Sequence, residues 1–180
     1  MTRLTHKSLR AGLEEVAARD PHVAEALALV GFPKLRRRKP GFEALFRAIV
    51  GQQVSIRQKV AYARHLAEMV GSGDVRLNRL PRMTDEEAIA ELIRIKGIGR
   101  WSAEIYLLSA LGRRDMWPVD DLALMIAAQR MKRLEARPDR KGMIALGEAW
   151  RPWRGAVAHL LWHYYSNAPA PRLVPKPATK

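Results

Sequence analysis

Between two apolar helical patterns the chain breaks for only five residues, Lys96-Gly97-Ile98-Gly99-Arg100. The break reads as a Gly-rich hairpin that follows Leu92-Ile93-Arg94-Ile95 and leads directly into an apolar helix from Trp101. Its two glycines admit positive φ and carry no side chains, so backbone N–H groups can approach a ligand. The following helix aims its free N-terminal amides at the same place, where an anion such as phosphate is best held. About twenty residues later, Trp117-Pro118-Val119-Asp120-Asp121 opens another apolar helix. A carboxylate at a fixed distance from a phosphate clamp is what an active site working on DNA requires.

The rest of the chain also reads as helix. Apolar residues recur at a period near 3.6, and the period-2 alternation of β-branched strands is absent. Helices are expected over about 7–18, 21–31, 42–51, 55–70, 84–94, 101–111, 121–133, 142–150 and 153–165. Ser55 with Gln58 and Thr84 with Glu87 have capping-box spacing, and Pro21 follows Asp20 just inside a helix start. The fold class is therefore all-α, with residues 1–165 as one helical domain and 166–180 as a Pro-rich, flexible tail. Lys34-Leu35-Arg36-Arg37-Arg38-Lys39-Pro40 forms a basic connector.

Thirty-two Lys plus Arg against 18 Asp plus Glu give a net charge of +14, which favours a polyanionic partner. A chain without cysteine has no disulfide, no Cys-based zinc site and no iron–sulfur cluster. Without an apolar run near eighteen residues or a signal-peptide pattern, a soluble protein is expected, cytoplasmic and nucleoid-associated if bacterial.

Asp120 and Asp121 are two carboxylates at one helix start, where a single one suffices as cap. The other is free for chemistry, such as stabilising positive charge on a sugar as its base departs. Trp150, Trp153 and Trp162 cluster late in the chain, and Trp150 and Trp153 read as core. Gly51 ends the amphipathic 42–51 helix, and Gln52-Gln53-Val54 forms a loop tip before the Ser55 cap.

From Phe42 to Tyr165 these motifs, in this order, resemble the helix–hairpin–helix base-excision DNA glycosylases. Within that superfamily the pattern is most like the DNA-3-methyladenine glycosylase II branch. The resemblance implies two helical lobes around a cleft, here without room for an N-terminal β domain. It implies a phosphate clamp at Gly97, Gly99, Arg100 and Ser102, and a catalytic Asp121, with Asp120 as the alternative. It places Trp101 and Trp162 in a pocket for a cationic alkylated base, with Ile105 and Tyr106 where a further aromatic is usual. Tyr164 or Tyr165 are substitutes for that aromatic, and Gln53 becomes the wedge that fills the gap left by a flipped base.

Trp101 also occupies the position at which strand-cleaving relatives carry a nucleophilic lysine, so base release by water alone is implied, with no abasic-site lyase step. No cofactor is required. A monovalent cation, Na+ or K+, is implied at the carbonyls of Ile93, Ile95 and Ile98 when DNA is bound. The expected partner is duplex DNA with damaged bases, met by a monomer that does not engage membranes. A non-catalytic helix–hairpin–helix DNA-binding module is the alternative, as is a glycosylase for other lesions.

Overall fold

The structure, a computed structural model, describes residues 3–169. Nine α-helices and one short 3-10 turn make up the described chain. They are α1 (His6–Ala17), α2 (Pro21–Val30), α3 (Phe42–Val50), α4 (Ile56–Gly71), α5 (Asp85–Ile93), α6 (Arg100–Ser109), α7 (Leu122–Lys132), α8 (Arg140–Glu148) and α9 (Arg154–Asn167). The only bridge pairing among the described residues joins Arg3 to Arg113. The all-α expectation holds, and helix ends move by at most two residues. The expected tail begins later, because α9 runs through Ser166 and Asn167. Its remainder, 170–180, lies outside the described residues.

Local chemistry sets these ends. Ser55 and Thr84 form reciprocal capping boxes with Gln58 and Glu87, and Thr5 does so with Ser8. Asp139 accepts the Gly142 N–H at 2.8 Å, which starts α8 two residues before the apolar pattern shows it. Leu80–Arg82, not expected from the sequence, is a turn too short to show a period.

Two sets of helices share one apolar core. α3 packs on α4 and α5 on α6, while α7 and the α1–α2 pair pack on α9. Each set buries a stripe of leucines and small residues, at about 1.5–3 kcal/mol per large side chain. The segment from Leu111 to Asp121 connects the sets, and buried anchors fix its path. Arg113, 6% exposed, binds the carbonyls of Leu80 and Met83 at 2.7 and 2.8 Å and pairs with Asp85. Trp117 donates to Met143 O at 2.8 Å, and Met116 and Val119 are buried beside it. The N-terminus of α9 sits on this segment through Gly155 N–H to Arg114 O at 2.8 Å. Any Cβ at Gly155 would meet that oxygen at 2.7 Å.

Candidate active site

Asp121 is the N-cap of α7, with Oδ1 accepting the Leu124 N–H at 3.0 Å. Two further donors reach the same carboxylate. Trp101 Nε1, from the first turn of α6, donates to Oδ2 at 3.0 Å, and Trp162 Nε1, from α9, donates to Oδ1 at 3.2 Å. A carboxylate offers about four lone-pair sites, so three N–H groups leave one free. The residue is 7% exposed, held in one orientation where the two helix sets meet. Trp101 is 46% exposed, so one indole of the pair is open to a ligand.

Asp120 points elsewhere. It is exposed and paired with Arg140. Of the two candidate acids, only Asp121 is brought to the indoles.

Expectations for the pocket divide. Ile105 lies one turn beyond Trp101 and is half-buried. Tyr106 is not a pocket residue; it is 5% exposed in the core, and its hydroxyl accepts the Gly41 N–H at 2.9 Å. One position along α6 turns a side chain by about 100°, which takes Tyr106 off the Trp101–Ile105 face. Tyr164 lies under the Arg130 guanidinium, and Tyr165 is exposed. Trp150 is fully buried, its indole N–H on Asp20 at 2.8 Å. Trp153 is half-buried over Gly12 and donates to Glu15 at 2.7 Å.

In the hairpin the two glycines differ. Gly97 has φ +86°, and a Cβ there would overlap the Tyr62 ring, so both backbone and space require glycine. Gly99 has φ −87° in extended backbone and needs no glycine for its conformation. A Cβ on Gly99 would meet nothing within 4 Å, so the space before α6 is open. The N–H groups of Gly99, Arg100, Trp101 and Ser102 have no backbone partner there. The Lys96 N–H is taken by His65 Nδ1 at 3.2 Å, and Gly97 O accepts from Gln52 Nε2 at 2.6 Å. Gln52 thus ties its loop to the hairpin, whereas Gln53 is exposed with no side-chain hydrogen bond among the described residues.

The side chains expected to assist the clamp are occupied or covered. Arg100 forms a two-pronged pair with Glu86 at 2.6 and 3.0 Å and reaches Glu104 at 3.0 Å, and Ser102 is buried. The donors left free at this hairpin are backbone N–H groups. Among the hairpin carbonyls, Ile95 O accepts the Ile98 N–H at 3.0 Å, while Ile93 O and Ile98 O accept no hydrogen bond among the described residues. Their lone pairs suit a small hard cation.

Two buried groups went unread in the sequence. Glu104, 3% exposed, leaves Oε2 without a partner, and burial pushes its carboxyl up to about 7 against the pull of Arg100. It borders a cleft of about 200 Å3 that also holds Arg140 and Arg154. His159, also 3% exposed, packs edge-on against Trp162 at 5.6 Å, and burial pulls its imidazole down to about 4. A signal existed for Glu104: it is the only acid in α6, four residues after Arg100.

Comparison with known proteins supports the resemblance carried by the motifs. The chain is 34% identical over 110 residues to a putative DNA-3-methyladenine glycosylase of Bacillus subtilis, covering 61% of this chain and 38% of that protein. It is 34% identical over 106 residues to DNA-3-methyladenine glycosylase 1 of Schizosaccharomyces pombe, covering 58% and 46%. The match thus spans less than half the length of either relative. No family model matches. The fold is similar to that of the Schizosaccharomyces pombe 3-methyladenine DNA glycosylase solved with abasic DNA, with TM-score 0.79, 24% identity, and coverage of 88% of this chain and 98% of that one. A Bacillus halodurans DNA-3-methyladenine glycosidase gives TM-score 0.75 at 24% identity, covering 86% and 88%. The all-helical architecture is that of the helix–hairpin–helix 3-methyladenine glycosylases.

Proposed function

We propose that the chain is a monofunctional DNA glycosylase that excises alkylated bases of the 3-methyladenine and 7-methylguanine type from duplex DNA. The observation that carries this reading is the Asp121 carboxylate, fixed by three N–H donors between two indoles and close in the fold to a backbone clamp. The similarity to 3-methyladenine glycosylases over more than half of the chain adds to it.

The chemistry follows from the geometry. The backbone N–H groups at Gly99–Ser102 hold a phosphate of the damaged strand without reading sequence. Gln53, exposed at its loop tip, enters the stack as the lesion turns out. The Trp101 face attracts a methylated, positively charged purine, a contact worth about 0.5–2 kcal/mol. As the C1′–N bond breaks, its electrons leave with the base, and positive charge builds on the deoxyribose. Asp121 stabilises that charge with its remaining lone pair and takes a proton from the water that attacks C1′.

Trp101 stands at the nucleophile position, and indole forms no Schiff base, so the strand stays intact. The carbonyls of Ile93, Ile95 and Ile98 would hold a monovalent cation beside the bound phosphate, where it lends positive charge. Among the described residues no helix is long and apolar enough to cross a membrane.

The test is incubation of the chain with methylated duplex DNA, followed by chromatography of the released bases. Free 3-methyladenine or 7-methylguanine, with alkali-labile sites and no borohydride-trapped adduct, is the expected result. DNA binding without release of any base supports the binding-module reading, and a trapped adduct supports a lyase.

A further inference from the structure

The basic connector and the outer face of α3 form a second surface that the excision site does not use. Lys34, Arg36, Arg37, Arg38 and Lys39 have no acidic partner among the described residues. Their backbone is fixed rather than loose: Leu35 is buried, and the Arg38 N–H donates to Ser109 O at 3.0 Å. The charges are therefore presented from a set position. Facing them, α3 exposes Phe42, Phe46 and Val50, spaced four residues apart on one stripe. The two phenyl rings lie near-parallel, 15° between planes and 6.1 Å between centroids. The open groove between connector and helix measures about 820 Å3, within the range of ligand clefts. Arg38 and Lys39 of the connector line it together with Phe46 and Val50 of α3 and with Gly51. The Glu43 carboxylate at the rim is neutralised by Arg47 at 2.8 Å.

Exposed aromatic faces beside unpaired cations are the chemistry that binds single-stranded nucleic acid, because every base has a π-face and every nucleotide a phosphate. Stacked duplex DNA offers the phosphates but not the faces. Unstacked bases arise where a lesion is turned out, and Gly51, which lines the groove, is only two residues before Gln53, the proposed wedge. We propose that this groove binds an unpaired nucleotide of the DNA, its base stacked on Phe46 and its phosphates on Arg38 and Lys39. The proposal rests on the reading of the chain as a DNA enzyme, but its measurement does not depend on excision.

The experiment is fluorescence anisotropy with an undamaged single-stranded 12-nucleotide DNA and with an intact duplex of the same sequence, over a range of salt. Wild type is compared with Phe46→Ala and with the double variant Arg38→Gln/Lys39→Gln. Phe46 is on the surface, and melting curves confirm that each variant folds. Phe46→Ala should weaken single-strand binding about tenfold and duplex binding by less than about twofold. In the double variant the single-strand salt slope should fall by about 0.7 for each phosphate no longer neutralised. Equal weakening on both DNAs, single-strand binding unchanged in both variants, or no single-strand binding by wild type would each overturn the groove. Excision that succeeds while Phe46→Ala changes nothing removes the groove alone. Phe46-dependent binding without excision removes the glycosylase reading alone.

Discussion

On one side of the Trp117–Asp121 turn, the carboxylate of Asp121 meets N–H groups of uncharged donors; on the other, Asp120 meets an arginine beside a cleft of ion pairs. The residues are adjacent and chemically identical, so the difference comes from what folds around each. Donors such as Trp101 and Trp162 hold a carboxylate in place without cancelling its charge. A guanidinium such as that of Arg140 both holds and neutralises it. The first arrangement leaves charge to act on a substrate, and the second spends it on structure. Glu104 belongs to the second side and carries its cost, a buried oxygen with no partner.

Four substitutions would break or sharpen this contrast. Asp121→Asn is expected to have the largest effect, slowing base release by about 10^2–10^3, the magnitude seen when one charge-stabilising group is removed. Asn caps a helix about as well as Asp, so α7 should survive, as a thermal melt would show.

Next comes Glu104→Gln. Because burial raises its folded value to about 7 from the ordinary 4.5, the folded chain binds this proton more tightly than the unfolded one. The stabilisation is complete below pH 4.5 and is lost as pH rises through 7, about 3 kcal/mol across the window. His159 runs the other way: its value drops from 6.5 to about 4, so its contribution is present above 6.5 and lost as pH falls through 4. Urea titrations between pH 4.5 and 6.5 should therefore show nearly flat stability in wild type. In Glu104→Gln stability should rise with pH, and an unchanged profile would show that Glu104 ionises freely.

Trp162→Phe keeps a ring but removes one donor from Asp121. A loss of about 1.5 kcal/mol, or roughly tenfold in single-turnover release, is expected with little change in DNA affinity. Asp120→Asn should matter least, costing about 0.5 kcal/mol in urea for an exposed ion pair.

Much of the fold was legible because apolar period and caps are local. Ser55, Thr84 and Asp20 mark helix starts within four residues of themselves, and the structure keeps all three. The site was legible where it depends on chain spacing, as in the hairpin and the aspartate turn. It was not legible where it depends on direction. In the sequence Asp121 is favoured over Asp120 only through the resemblance, since the indoles that reach it lie 20 and 41 residues away, and putting Tyr106 in the core requires the rotation of α6 against Gly41. Arg100 looked free for phosphate because its partner Glu86 lies 14 residues back, on the other arm of the hairpin.

On the proposed reading the two neighbouring acids have different jobs, as they have different partners. Single-turnover release of 3-methyladenine from methylated duplex DNA, measured for Asp121→Asn and Asp120→Asn at saturating enzyme, tests that division directly. Release should be at least about a hundredfold slower in Asp121→Asn and within about threefold of wild type in Asp120→Asn. Release abolished in Asp120→Asn but kept in Asp121→Asn would contradict it.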